Sequence, residues 1–523
     1  DLDLSAAGEL RAVAPRDLFH TALEMQHAVV EVDVAVEEAE GLAGAEAGVQ
    51  HESVGCGLLV DALSVAPCAE RLRLELLNLL RRKGCDRLKG GTVFFSLRGE
   101  EEVYELINSG RFSCVIADPE FFRIIENQNV KLIGLPHAAV SSKLHWDEYP
   151  DYLGNDLEKI AIEKAKQLFN ASYANVQPHS ATTANEIVTY SLVKPGNVIM
   201  GMSLSSGGHF SHGDSHSYSG TDFKVVQYGL NEKYLIDYDN VEELALKYRP
   251  KMIICGTTSY CRNIDFKRFR KIADKVGAYL LADISHISGL VIANLHESPI
   301  DYAHVTTLCT HKQLFGPRGG LILSGKDAKN KIIGGNKTLE EKLQSAVFPF
   351  FQGAPMINMI AAKAVALEIA GSREYRLIMQ KIVNNAKTLA TELKKLGFDI
   401  ISGGTDNHIV LVDLSNIGVS GDVAEKALEE CGIIVNRNSV PNKKINGKNI
   451  SDRPTGIRIG TNSISQRGIT NEGIIQCAHM IADVLNHTYG NDIKNFRVDS
   501  KVKNIVLQKV NKLCKEFPVT GYD

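Results

Sequence analysis

Two short runs, Tyr279-Leu280-Leu281-Ala282-Asp283-Ile284 and Val305-Thr306-Thr307-Leu308-Cys309-Thr310, are apolar or β-branched almost throughout. They read as strands, and they do not stand alone. From Leu157 onward the spacing predicts helices over 157–169, 183–193 and 266–276, with further strands over 198–204 and 252–256. Alternation of that kind builds a largely parallel sheet covered by helices, an α/β fold. A smaller terminal domain is predicted beyond it, with a helix over 385–396, a strand over 409–413, a helix over 423–430, a strand over 457–460 and two final helices.

Upstream the character of the chain changes. Before Lys83 it is rich in Ala, Glu, Val and Leu and contains no lysine. Residues 1–85 therefore read as a helical Ala/Glu-rich segment without assignable chemistry, including an amphipathic basic helix over 69–82. Residues 86–146 read as a small α/β unit, with strands at 92–97, 113–117 and 131–135 and helices at 100–108 and 120–126. Residues 147–375 and 376–523 are then expected to be the large and small domains. A length of 523 residues and a hydrophobic fraction of 44% suit more than one core.

Net charge is −4 with both signs interspersed, which gives no reason to expect nucleic acid as a partner. No apolar run is long enough to span a bilayer and no cleavable leader is recognisable, so a soluble cytoplasmic protein is expected. The ten cysteines lack paired metal-ligand spacing, and no metal site is expected.

Chemistry concentrates where strands end. Thr310-His311-Lys312 leaves one apolar strand, and Gly316-Pro317-Arg318-Gly319-Gly320 leads into another, Leu321-Ile322-Leu323. Lys312 thus lies in a strand-to-strand connection, where a desolvated amine can condense with an aldehyde cofactor. Asp283 ends its own apolar run and is placed to hold a pyridinium nitrogen protonated. Together the two residues form the pair used by pyridoxal-phosphate enzymes. Taken singly, a strand-end Asp is more often a cap and a lone lysine a surface charge.

Longer words of sequence carry more weight. Tyr173-Ala174-Asn175-Val176-Gln177-Pro178-His179-Ser180, Ser206-Gly207-Gly208-His209, Asp283-Ile284-Ser285-His286, the Lys312 segment, Ser402-Gly403-Gly404-Thr405-Asp406-Asn407-His408, Asn438-Ser439-Val440-Pro441 and Gly456-Ile457-Arg458-Ile459-Gly460-Thr461 occur in that order. With them, the chain from about Asp147 onward resembles serine hydroxymethyltransferase. The resemblance implies the aspartate-aminotransferase-like architecture, fold type I, with pyridoxal 5'-phosphate as cofactor and active sites at the interface of a homodimer or a dimer of dimers.

Roles carried over by the resemblance fall on specific positions. Lys312 is expected at the cofactor aldehyde, Asp283 at its ring nitrogen and His311 among the residues that bind the cofactor. His209 is expected to stack on the ring, and Thr258 and His286 to lie near its phenolic oxygen and the substrate. Ser180, Ala181 and Thr182, opening a helix, are expected around the phosphate, together with Gly353 from the neighbouring subunit. Without the matched motif, Ser180 would read as a routine N-cap. Arg458 is expected to clamp the substrate α-carboxylate, with Tyr152 also at the substrate and Leu204 and Asn438 at folate-contacting positions. Asp147 or Glu148 represents the family's catalytic glutamate.

The match breaks inside the site. Ser206 stands for a family histidine, Ala181 and Ala354 for glycines, and Cys309 and Gln313 for threonines. The reaction implied is cleavage or formation of the Cα–Cβ bond of a β-hydroxy-α-amino acid through a glycine quinonoid. The departures tilt the acceptor toward another aldehyde, as in the related L-threonine transaldolases, over authentic serine/glycine hydroxymethyl transfer with tetrahydrofolate. Small-molecule partners are expected: an amino acid with either an aldehyde or folate.

Overall fold

The computed structural model describes residues 114–117, 131–134, 153–440, 444–445, 448–449, 454–490 and 492–519. The elements predicted at 69–82, 92–97, 100–108 and 120–126 lie outside the described residues, as do Asp147, Glu148 and Tyr152. In the N-terminal unit the described residues are two strands, β1 (Cys114–Ala117) and β2 (Lys131–Gly134), paired in parallel with Cys114 opposite Lys131. They match the strands expected there.

The second unit, residues 154–523, is built on a seven-stranded sheet. Its strands are β3 (Tyr173–Asn175), β4 (Val198–Met202), β5 (Lys224–Tyr228), β6 (Met252–Gly256), β7 (Tyr279–Asp283), β8 (Val305–Cys309) and β9 (Gly320–Ser324), in the order β3-β9-β8-β7-β6-β4-β5. From β8 through β5 all neighbours are parallel, and β9 runs antiparallel to both β8 and β3. Every residue of β6, β7 and β8 is buried, which is why these segments are apolar without alternation.

Successive side chains of these strands feed opposite faces. Ile253, Cys255, Leu280 and Ala282 enter one core, whereas Met252, Ile254, Leu281 and Val305 enter another. Burying each such leucine or isoleucine is worth about 1.5–3 kcal/mol. Helices cover the sheet: α1 (Leu153–Phe169), α2 (Ala181–Leu192), α3 (Tyr238–Tyr248), α4 (Phe266–Val276) and the short α5 (Ser288–Ile292). In α4 the Asp265 side chain caps the amide of Arg268 at 2.8 Å, and Phe266, Phe269, Ile272 and Ala273 form the buried stripe.

Beyond β9, α6 (Ile357–Ala370) is followed by α7 (Arg373–Lys395), a helix of 23 residues. Its first half, with Tyr375, Met379, Ile382 and Val383, packs into the sheet core, and its second half, with Ala386, Leu389, Ala390 and Leu393, enters a separate core. That core is completed by residues of β10 (Asp399–Ile400), β11 (Ile409–Asp413), α8 (Gly421–Glu430), β15 (Gly456–Gly460), α9 (Asn471–Asn486) and α10 (Ser500–Glu516), while β12 (Asn436–Asn438) pairs with β15, and β13 (Lys444–Ile445) pairs antiparallel with β14 (Lys448–Asn449). The antiparallel sheet here runs β10-β11-β15-β12, and the expected boundary at 375/376 falls inside α7. The helix expected over 385–396 starts twelve residues earlier, at Arg373, because Tyr375, Met379, Ile382 and Val383 already bury one face.

Candidate active site

The parallel strands end at Met202, Gly256, Asp283 and Cys309, and the site residues gather at that edge. Asp283, at the end of β7, is 7% exposed. Its Oδ1 accepts from Ser285 N at 3.0 Å and Ser285 Oγ at 2.6 Å, and its Oδ2 accepts from Asn185 Nδ2 at 2.8 Å. His212 Nε2 lies 3.1 Å from the same Oδ2. Burial pushes the carboxyl up, but the contacts from His212, Ser285 and Asn185 outweigh it and hold the group far below the usual carboxylate range. Asn185 comes from the second turn of α2 and is itself fixed by Thr307 Oγ1, which donates to its Oδ1 at 2.5 Å.

Lys312 is half-buried, where a buried lysine was expected, in the connection from β8 to antiparallel β9. Its Nζ is 2.9 Å from His286 Nε2. The His286 ring lies parallel to His408, centroids 6.0 Å apart, and His408 Nδ1 meets Gln313 Nε2 at 3.2 Å. Burial and the charge of Lys312 push His286 well below its ordinary value, and burial with Arg458 pushes His408 down to about 3. Both rings are neutral near pH 7. His311 is also lowered, by burial and by Lys312 and Arg318.

At the other end of the site, α2 begins at Ala181 with Ser180 as its N-cap. Ser180 Oγ accepts from Thr183 N at 3.0 Å, so this hydroxyl is committed to the helix in the way the N-cap reading of the sequence anticipated. The Thr182 side chain is exposed. The first-turn amides at Ala181 and Thr182 are the groups that a helix start leaves for an anion. Gln352 braces this turn, its Nε2 donating to Gln177 O at 3.1 Å and its Oε1 accepting from His179 N at 3.3 Å. Gly353, the next residue, has open space where a Cβ would stand.

His209 follows a loop that only glycine can make. Gly207 has φ +103°, and a Cβ there would lie 2.3 Å from Ser259 O. Thr258 N and Ser259 N both donate to Gly207 O, at 2.7 and 3.1 Å, which draws the two loops together. His209 Nδ1 is 2.8 Å from Ser211 Oγ, and burial together with His212 pushes the ring down to about 4. Asp283 raises this ring and Lys312 lowers it, both less than burial does.

Arg458, on β15, donates from Nη1 to Thr258 O at 3.0 Å and from Nη2 to Asn436 Oδ1 at 3.1 Å. Among the described residues its partners are neutral oxygens and not a carboxylate, so an inter-strand ion pair does not account for it. Asn438 Oδ1 accepts from Ser259 Oγ at 2.6 Å, and Leu204 is 43% exposed in the turn before Ser206. The departures are ordinary in their packing. Ser206 is buried and receives a hydrogen bond from Ser203 Oγ at 2.9 Å, and Cys309 is buried beside Ser285 O.

Several residues that hold this constellation escaped the sequence reading: Asn185, His212, Ser285, Gln352 and Lys363. A polar side chain on the buried face of a helix was the available signal for Asn185 and Lys363. Pyridoxal phosphate fits the donor set, with an ionised buried carboxylate for a ring nitrogen, a lysine amine for an aldehyde and helix-start amides for a phosphate.

The comparisons with known proteins agree with that chemistry. A family model described as serine hydroxymethyltransferase matches residues 151–481. The serine hydroxymethyltransferase of Rickettsia akari is 48% identical over 362 residues, covering 69% of this chain and 82% of that protein. Those of Rickettsia canadensis and Rickettsia africae are 47% and 46% identical over 365 residues, each covering 70% of this chain and 82% of the relative. Identity and coverage of that order mean that the chain belongs to the serine hydroxymethyltransferase family, pyridoxal-phosphate-dependent transferases of fold type I.

Proposed function

We propose that this protein interconverts L-serine and glycine, passing the hydroxymethyl carbon to and from tetrahydrofolate. The observation that carries the reading is the gathering of amine, guanidinium and carboxylate at one edge of the sheet: Lys312 Nζ lies 2.9 Å from His286, Asp283 ends β7 opposite Gly256 of β6, and Arg458 holds Thr258 O in the loop that leaves β6. The names of the relatives favour hydroxymethyl transfer over the transaldolase reading that the substitutions at 181, 206, 309, 313 and 354 suggested. None of those changes removes Lys312, Asp283 or Arg458.

Bound pyridoxal phosphate supplies an electron sink for the Cα–Cβ bond. Lys312, beside neutral His286, holds or releases one proton at Nζ as the amino acid enters and leaves. Asp283, kept anionic, favours a proton on the ring nitrogen. His209, neutral above pH about 4, can lie against a cationic ring without like-charge repulsion. Arg458 offers its planar fork to the α-carboxylate, which fixes the orientation of the bond to be broken. Thr258 and Asn438 line the substrate side, and Leu204 offers an apolar surface to a pteridine. The resemblance gives Asp147 or Glu148 the role of taking the proton of the serine hydroxyl as the carbon leaves, and Tyr152 a role in binding the substrate.

We further propose a homodimer or dimer of dimers, in which the loop at Gly353 reaches the neighbour's phosphate. Phe348, Phe350 and Met356, which flank that loop, are exposed by 41%, 75% and 45%, as a contact surface would be in a separated subunit. Among the described residues no helix is long and apolar enough to cross a membrane, and a cytoplasmic location is proposed.

Two assays test the chemistry. L-Serine with tetrahydrofolate should be turned over and should yield glycine, whereas L-threonine with an aryl aldehyde should release acetaldehyde slowly or not at all. Turnover confined to the second pair would restore the transaldolase reading. Lys312→Ala should lose the yellow imine absorbance in either case.

A further inference from the structure

Lys363 is the one cation in the apolar run of α6, and its side chain is 2% exposed. Its Nζ donates to Val176 O at 2.6 Å, to Pro178 O at 3.1 Å and to Gly320 O at 3.1 Å. An ammonium has three N–H bonds, and here each has a carbonyl. Two of those carbonyls belong to the segment that leads into α2, and the third to Gly320, the first residue of β9, where the connection that carries Lys312 ends. The same two segments also meet directly, Gly320 N donating to Pro178 O at 2.8 Å.

The stem of Lys363 passes through a gap that the sequence keeps open. A Cβ on Gly319 would stand 2.2 Å from Lys363 Cε, so no residue with a side chain fits there while the lysine holds its place. Burying an amine in this way is costly, and a methionine of similar length would serve packing more cheaply. What a methionine lacks is a positive charge held on the segment that leads into α2, at Val176 O and Pro178 O.

We propose that Lys363 is a positioning residue for the cofactor phosphate, tying the turn at 176–180 to the Lys312 connection and adding a buried positive charge to the anion site. The proposal rests on reading the α2 start as the phosphate end. The charged and titratable groups around the amine are few. Glu158 of α1 acts on it from one side while accepting from Gln177 Nε2 at 2.8 Å, and His179 and Arg318 line the small cavity beside it. Burial pulls Lys363 down to about 7, whereas Glu158 and the three carbonyls favour the ammonium. A phosphate dianion nearby shifts the balance further toward the charged form.

Titrating cofactor-free protein with pyridoxal phosphate and, separately, with pyridoxal isolates the phosphate. The imine absorbance is the readout for wild type, Lys363→Met and Gly319→Ala. Both variants should bind pyridoxal phosphate about tenfold more weakly or worse, with pyridoxal affinity changed by no more than about twofold. Equal losses for the two ligands would mean a structural role only, and no loss would mean no role; either result overturns the proposal. A wild type that takes up neither ligand would instead sink the cofactor reading beneath it. Should the variants fail to fold, the wild type still decides. Its preference for pyridoxal phosphate over pyridoxal should decline as pH rises above about 7, and a flat preference would refute the assignment.

Discussion

Asp283 keeps its charge inside the protein because Asn185, Ser285 and His212 are aimed at it from α2, from its own turn and from the loop after His209. The carboxylate is prepared before any ligand arrives. Asp283→Asn preserves shape while deleting the charge that favours a protonated ring nitrogen. Serine-to-glycine turnover should fall by about a hundredfold or more, measured at saturating substrate. A rate near that of the wild type would show that the ring nitrogen is held elsewhere. The reacting side chains were legible because strand ends carry them, and Lys312, Asp283 and His209 all follow apolar runs or paired glycines. Their supports were less so. Nothing in the sequence around His212 or Ser285 says which carboxylate either one faces, since that pairing is made by the fold.

At the level of the element, α2 serves two purposes through one terminus. Ser180 caps it, and the amides just inside the cap face the proposed phosphate. Ser180→Ala should cost about 1 kcal/mol, read as a lower urea midpoint for the cofactor-free protein, and should also weaken retention of pyridoxal phosphate. An unchanged midpoint would mean that the Thr183 contact contributes nothing. The sequence placed this helix two residues late, at Thr183, because Ala181 and Thr182 carry no periodic signal of their own. It placed α7 twelve residues late for a different reason: Arg373, Glu374, Arg376 and Gln380 dominate the first turns, and the apolar stripe of Tyr375, Met379 and Ile382 is sparse. By contrast the bounds of α4, β6 and β11 were read correctly, since each is a short segment with one unbroken pattern.

Across the whole molecule, a single electrostatic theme links the sheet unit to the second core. His209 and His286, half-buried, and His408, buried, are all neutral near pH 7, with values of about 4 for His209 and about 3 for His408 against an ordinary 6.5. A group lowered by folding takes up its proton more readily in the unfolded chain. Stability from these rings is therefore fully present above pH about 6.5 and is lost as pH falls toward about 4. The urea midpoint of the cofactor-free protein should decline as pH falls through that range. Replacing His408 with Asn should make the decline shallower, and an identical slope would remove His408 from the account.

The connection carrying Lys312 has a fixed span. Cys309 of β8 pairs with Gly320 of β9, so residues 310–319 form a loop clamped at both feet. Its length is then as much a part of the chemistry as the amine itself. One inserted or deleted residue would swing Lys312 away from His286 even with every side chain retained, so this stretch should tolerate exchange of letters far better than any change in their number.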